Sequence, residues 1–196
     1  MKVVLLLLFY INFLYSSDSI KELYVKSYNY ERVGNYNEAI KVLVPLYKKY
    51  PKGYTLNLRF GWLFYLNKNY NNATTYYKNA SLVAPYALNP RVGLAQVYLA
   101  KGDYNKSEII CNEIIKIDYY NHYANLCTIS SLIRQHKYEI AAQMAQKMLT
   151  LYPTNIEFLQ QLYVIYKATS SKYIKDLENQ ILTLDPNNVL INTKGK

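Results

Sequence analysis

At 196 residues the chain is long enough to bury a core of its own, and 51% hydrophobic against 18% charged residues excludes a disordered, highly charged polypeptide. Lys and Arg outnumber Asp and Glu by 23 to 13, for a net charge of +10. That excess reads first as solvated lysines on helix surfaces, with a dedicated polyanion site as the alternative.

Residues 1–17 open on Met1 and Lys2, run through a stretch from Val3 to Leu14 that is apolar except for Asn12, and end on Tyr15, Ser16 and Ser17. One charge, about a dozen mostly apolar residues and small residues before a polar start predict a cleaved secretory signal. The run is short for a bilayer span. Cleavage after Ser16 or Ser17 would deliver the chain to a periplasm or to the exterior, with no membrane span left. An uncleaved anchor or a first core helix is the competing reading.

From there on a tyrosine returns every 34 residues, at Tyr36, Tyr70, Tyr104 and Tyr138. Two residues before each stand Gly34, Lys68, Gly102 and His136; the residue between is Asn35, Asn69, Asp103 or Lys137. Three residues after each stand Ala39, Ala73, Ser107 and Ala141, and ahead of the turn lie Tyr30, Phe64, Tyr98 and Leu132, preceded by Ser27, Gly61, Ala95 and Ile129. Pro51, Pro85, Tyr119 and Pro153 close the frame. A large residue late in one helix and a small one early in the next let two helices cross closely. The turn column reverses the chain, Asn35, Asn69 and Asp103 are placed to cap the second helix, and proline stops it. Period and columns resemble the tetratricopeptide repeat over roughly residues 20–186.

That resemblance implies an all-α, right-handed solenoid of antiparallel helix pairs with about five units. In unit one, residues 20–53, Asp18 is the expected cap of the first helix, and Pro45 predicts a kink in the second. Unit two, residues 54–87, lies nearest the family pattern. Unit three, residues 88–121, starts well with Pro90 in a first turn but has Tyr119 in place of the closing proline. Unit four, residues 122–155, carries Ile129 in the small column and His136 in the turn column, which predicts a looser turn. Residues 156–184 form a degenerate closing pair, with Tyr173 one residue late and Pro186 one early, that covers the apolar end of the stack. The repeat domain is taken as 18–186 and the polar remainder, 187–196, as a mobile tail.

Catalytic constellations are missing from the sequence. His122 and His136 share no helical turn, no metal-ligand spacing or glycine-rich phosphate loop occurs, and no serine sits in a nucleophile elbow. No cofactor, no metal and no enzyme activity are expected. Cys111 and Cys127 fall on neighbouring helices, so they read either as a disulfide in an oxidising compartment or as two buried thiols. The Asn-X-Ser/Thr triplets at Asn72, Asn79 and Asn105 fall in helices and are taken as chance.

In the family it resembles, the first helices of successive units line a concave groove for partner peptides. Helical spacing from the buried columns puts Lys21, Tyr24, Tyr28, Glu31 and Arg32 there in unit one, and Leu58, Trp62, Tyr65 and Leu66 in unit two. Units three and four contribute Asn89, Val92, Gln96 and Leu99, then Tyr123, Leu126, Ser130, Ile133 and Arg134; unit five adds Gln160, Val164 and Lys167. With Tyr24, Tyr28 and Trp62 where carboxylate-gripping members set lysine and asparagine, a carboxylate clamp is not expected. The row has the residue types of binding hot spots, unless neighbouring units bury it. These residues predict a protein-binding scaffold, with self-association as the rival; the export signal and apolar lining speak against nucleic acid.

Overall fold

The computed structural model describes residues 19–192, so the expected signal, residues 1–17, lies outside them. Every regular element among the described residues is a helix: α1 (Ile20–Arg32), α2 (Tyr36–Lys41), α3 (Val44–Lys49), α4 (Tyr54–Leu66), α5 (Tyr70–Val83), α6 (Asn89–Ala100), α7 (Tyr104–Ile117), α8 (His122–Arg134), α9 (Tyr138–Leu151), α10 (Ile156–Ala168), α11 (Ile174–Leu184) and α12 (Val189–Asn192). The chain divides after Val83 into two compact units. The first holds α1 to α5 and the second α6 to α12.

Each helix pair is built by the same local chemistry. At every 34-residue step one residue enters the left-handed region: Gly34 at φ 74°, Lys68 at 58°, Gly102 at 81°, His136 at 59° and Ser170 at 51°. The turn around it is the same each time. The Gly34 amide donates to the Glu31 carbonyl at 2.8 Å and the Asn35 amide to that of Tyr30 at 2.9 Å, the two bonds of a Schellman ending. His136 and Lys137 repeat them to Ile133 and Leu132 at 3.0 and 2.9 Å. The fourth turn is therefore as tight as the others, contrary to expectation, because the backbone bonds tolerate a side chain that has open space. Asn35, Asn69 and Asp103 cap the following helices, accepting from Glu38, Asn72 and Lys106 at 3.3, 3.3 and 3.4 Å. At α1 the cap is Ser19, not Asp18: its hydroxyl accepts from the Glu22 amide at 3.2 Å while the Glu22 carboxylate accepts from the Ser19 amide at 2.7 Å, a reciprocal capping box.

Lys68 carries a β-carbon through a conformation that costs a non-glycine residue about 1–2 kcal/mol, and it is exposed. Lys68→Gly should raise stability by roughly 0.5–1 kcal/mol, part of the relief being offset by glycine's greater freedom when unfolded. A thermal melt followed by circular dichroism checks it; a lower midpoint for the glycine variant would mean that Lys68 contributes something beyond the turn.

The expected kink at Pro45 is a full break. The second helix of unit one stops at Lys41 and restarts at Val44 with Pro45 in its first turn, because proline has no amide to donate to the Lys41 carbonyl. The small column is buried throughout, with Ser27, Ala39, Ala73, Ala95, Ser107, Ile129 and Ala141 all fully inaccessible. In the first unit the core is Ala39, Leu43, Leu46, Leu56, Phe60 and Leu63, extended by rings: Tyr76 lies over Phe60 at 4.9 Å and Phe64 at 5.2 Å, with Tyr47 edge-on at 5.4 Å. The second unit has two clusters. One gathers Ala95, Cys111, Ile114, Ala124 and Cys127; the other runs from Ile129 through Met148, Phe158 and Tyr163 to Leu177, Ile181 and Ile191.

The loops that precede first helices are tied down by a column that escaped the sequence reading. Six residues further along, from within the next helix, a side chain reaches back to the loop carbonyl: Asn57 to Pro51 at 2.8 Å, Arg91 to Pro85 at 3.5 Å, Asn125 to Tyr119 at 2.9 Å and Asn192 to Pro186 at 3.1 Å. Asn125 thereby holds the loop that lacks a closing proline. The last of these bonds also alters the expectation of a mobile tail from 187: residues 189–192 make a helical turn, and Ile191 is buried against the Leu177 and Ile181 cluster. An isoleucine in reach of an open apolar end is better placed there than in water.

Candidate partner-binding face

In the first unit, α1 and α4 meet through one polar knot in an otherwise apolar contact. Arg59, 5% exposed, forms an ion pair with Glu31. Its guanidinium also donates to the Ser27 hydroxyl at 3.1 Å and lies 3.9 Å from the centre of the Tyr28 ring, a cation held by a π face. The second Glu31 oxygen accepts from the Trp62 indole at 2.6 Å. Glu31 thus fixes Arg59 and Trp62 at once, and Trp62 is further stacked on Tyr65 with centroids 5.7 Å apart.

Above the knot lies a cleft of about 500 Å³ lined by Tyr28, Glu31, Arg32, Tyr36, Trp62 and Leu66. Trp62 keeps 36% of its surface exposed and Tyr28 52%. A rigid indole whose only polar atom is already bonded offers its face to an apolar side chain without a desolvation penalty at nitrogen.

The structure brings Tyr28, Glu31, Arg32, Trp62 and Leu66 together in the cleft, with Tyr65 behind the indole. Tyr24 and Leu58 are half-buried beside it; Tyr24 packs against the core, and burial raises its hydroxyl pKa, with the Tyr28 hydroxyl adding to the rise and Arg59 opposing it. In the second unit the predicted row lies on α6, α8 and α10. Val92 and Leu99 are wedged against the Ala95 cluster, Leu126 and Ile133 against that of Ile129, and Gln96 is half-buried. Tyr123 stands out at 60% exposed. Two residues of the first-unit site were missed. Tyr36 was read as a repeat column only. Arg59 left one signal, a lone arginine within the apolar run from Leu58 to Trp62, two residues before the tightly packed Gly61.

Other chemistry-bearing residues have structural partners. His122 pairs with Glu157 at 2.5 Å and His136 with the Tyr138 hydroxyl at 2.8 Å. Among the described residues no group of three His, Cys, Asp or Glu is placed to hold a metal, and no helix is long and apolar enough to cross a membrane. Cys111 and Cys127 are free, buried thiols. Sharing a hydrogen bond with Cys127, together with burial, pushes the Cys111 thiol up, and the Cys127 sulfur also meets the Ser107 hydroxyl at 3.1 Å.

Helix pairs of this length, with a left-handed turn residue every 34 positions and small residues at each crossing, define the fold of tetratricopeptide repeat proteins. Solved structures agree. TTC0263, a thermophilic TPR protein of Thermus thermophilus, aligns over 88% of this chain and 95% of its own with a TM-score of 0.74 at 13% identity. A tetratricopeptide repeat protein from Parabacteroides merdae aligns over 87% of this chain and 68% of its own at 0.70 and 18%. MamA from Desulfovibrio magneticus aligns over 86% and 95% at 0.67 and 15%. At these identities the likeness is one of fold. No family model and no curated protein sequence matches the chain.

Proposed function

We propose that the protein is an exported, non-enzymatic scaffold that binds a segment of another protein on the first-helix face, with the α1–α4 cleft as its anchor point. The observation that carries this reading is Trp62, locked by Glu31 and Tyr65 yet open on one face of a cleft of about 500 Å³, room for more than one side chain of a partner segment. Rigid aromatic anchors in a pocket are what hot spots are made of, since little side-chain entropy is lost when they are covered. Export rests on the order of charge, apolar run and small residues in 1–17 and on nothing else. N-terminal sequencing of the protein from its own compartment should begin at Ser17 or Asp18.

Because Trp62 is the sole tryptophan, its fluorescence reports on this cleft alone. Titration with the bound partner segment should shift emission to the blue, and Trp62→Ala should weaken binding by about 2 kcal/mol. Unchanged affinity of Trp62→Ala would sink the reading. Should the titration partner prove to be a second copy of the chain, the rival reading of self-association takes its place.

A further inference from the structure

The positive charge of the protein is not spread evenly. Residues 19–83 hold ten basic and three acidic side chains, whereas 84–192 hold ten and nine. From residue 39 to the end of the first unit there are seven basic residues and no acid at all. Of these only Arg59 is buried, its charge met by Glu31, and Lys41 pairs with Glu38. Lys48, Lys52 and Lys78 are exposed.

Lys48 and Lys78 lie on second helices and Lys52 in the turn after one of them, and none of the three lines the Trp62 cleft. α3 and α5 are neighbours through the Tyr47–Tyr76 ring contact. Lys48 stands in the last turn of α3, Lys52 in the turn that follows, and Lys78 one helical turn before Leu82 on α5. Lys52, Leu82 and Val83 share the wall of a depression of about 580 Å³. Leu82 is 80% exposed and Val83 44%, an aliphatic edge set among cations.

We infer that this face docks on an anionic lipid surface, the lysines meeting headgroup phosphates and carboxylates while Leu82 and Val83 enter the boundary of the acyl region. Three features of the patch select lipid over a polynucleotide. Its exposed cations are lysines, which act as point charges without the bidentate geometry that arginine brings to phosphate recognition. Its most exposed apolar group, Leu82, is aliphatic, and aliphatic side chains gain from an acyl phase, while the one exposed ring among these lysines, Tyr50, already has the Lys49 ammonium 5.3 Å from its centre. Its charge is of one sign, which suits a diffuse surface potential more than a patterned protein partner.

Co-sedimentation of the full chain with phosphatidylcholine vesicles containing about a third phosphatidylserine tests the inference, each lysine near such a surface contributing about fivefold in affinity. Binding should fall as salt rises, and the triple variant K48Q, K52Q, K78Q should lose about a hundredfold while keeping its helical spectrum. Leu82→Asn should weaken binding several-fold without changing the salt dependence. A triple variant that sediments like the wild type overturns the inference. So does a chain that prefers single-stranded polynucleotide to these vesicles at physiological salt. Neither result bears on the Trp62 cleft, whose partner is read by fluorescence.

Discussion

Gly61→Leu should melt far below the wild type, with or without a partner. A β-carbon at Gly61 would stand 2.6, 2.7 and 2.9 Å from three ring atoms of Tyr77, well inside contact distance. Tyr77 is 3% exposed, so its ring can retreat only by displacing the side chains packed around it. Forcing one extra methyl into such a crossing costs about 1–3 kcal/mol, and the leucine side chain more. For a domain of this size each kcal/mol moves the midpoint by roughly 2–4 °C, so the leucine variant should fall by about 10 °C or fail to fold. Removing the obstacle should recover part of the loss: Gly61→Leu with Tyr77→Ala should melt above Gly61→Leu alone. If Gly61→Ala melts like the wild type, α4 and α5 do not cross here as described.

The second large effect belongs to the knot beneath the cleft. Glu31→Ala strands the Arg59 guanidinium, which would keep only Ser27 and the Tyr28 face, in a site 5% open to water. Breaking a buried pair from one side costs about 3–5 kcal/mol; Glu31 keeps 21% of its side chain accessible, so the lower end applies. Denaturant unfolding should show that loss for Glu31→Ala. The double variant Glu31→Ala, Arg59→Met should sit closer to the wild type than the sum of the two singles, because it leaves no unpaired charge. Strict additivity would mean that the two groups do not support each other. Glu31→Ala should also free the Trp62 indole, so emission should move toward the red even without a partner.

Much of the fold was legible in the residues because the repeat is a local device. A left-handed residue, a short polar cap directly after it and a small residue such as Ala39 or Ala73 at the crossing each act within one helix pair, so a 34-residue beat spells them out. The resemblance drawn from those columns agrees with the fold of the solved structures. Local rules were also read too strictly: His136 in a glycine column suggested slack, yet the Schellman bonds use backbone alone and are made as tightly as at Gly102. Ser19 displaced Asp18 as a cap because Glu22 stands at the third helical position from Ser19 and can answer it.

The period, the class of fold and the helices that carry the candidate face follow from spacing within about 34 residues and are therefore written in the residues themselves. Which residues of that face cooperate depends on packing between helices distant in the chain. Glu31, Arg59 and Trp62 are separated by up to 31 positions, and nothing in spacing alone tells a solvated glutamate from one that locks an indole. Packing likewise decided that Ile191 is core and that Lys52 shares a depression with Leu82 and Val83. Burial and charge density are sums over neighbours in space, and a one-dimensional pattern does not contain them.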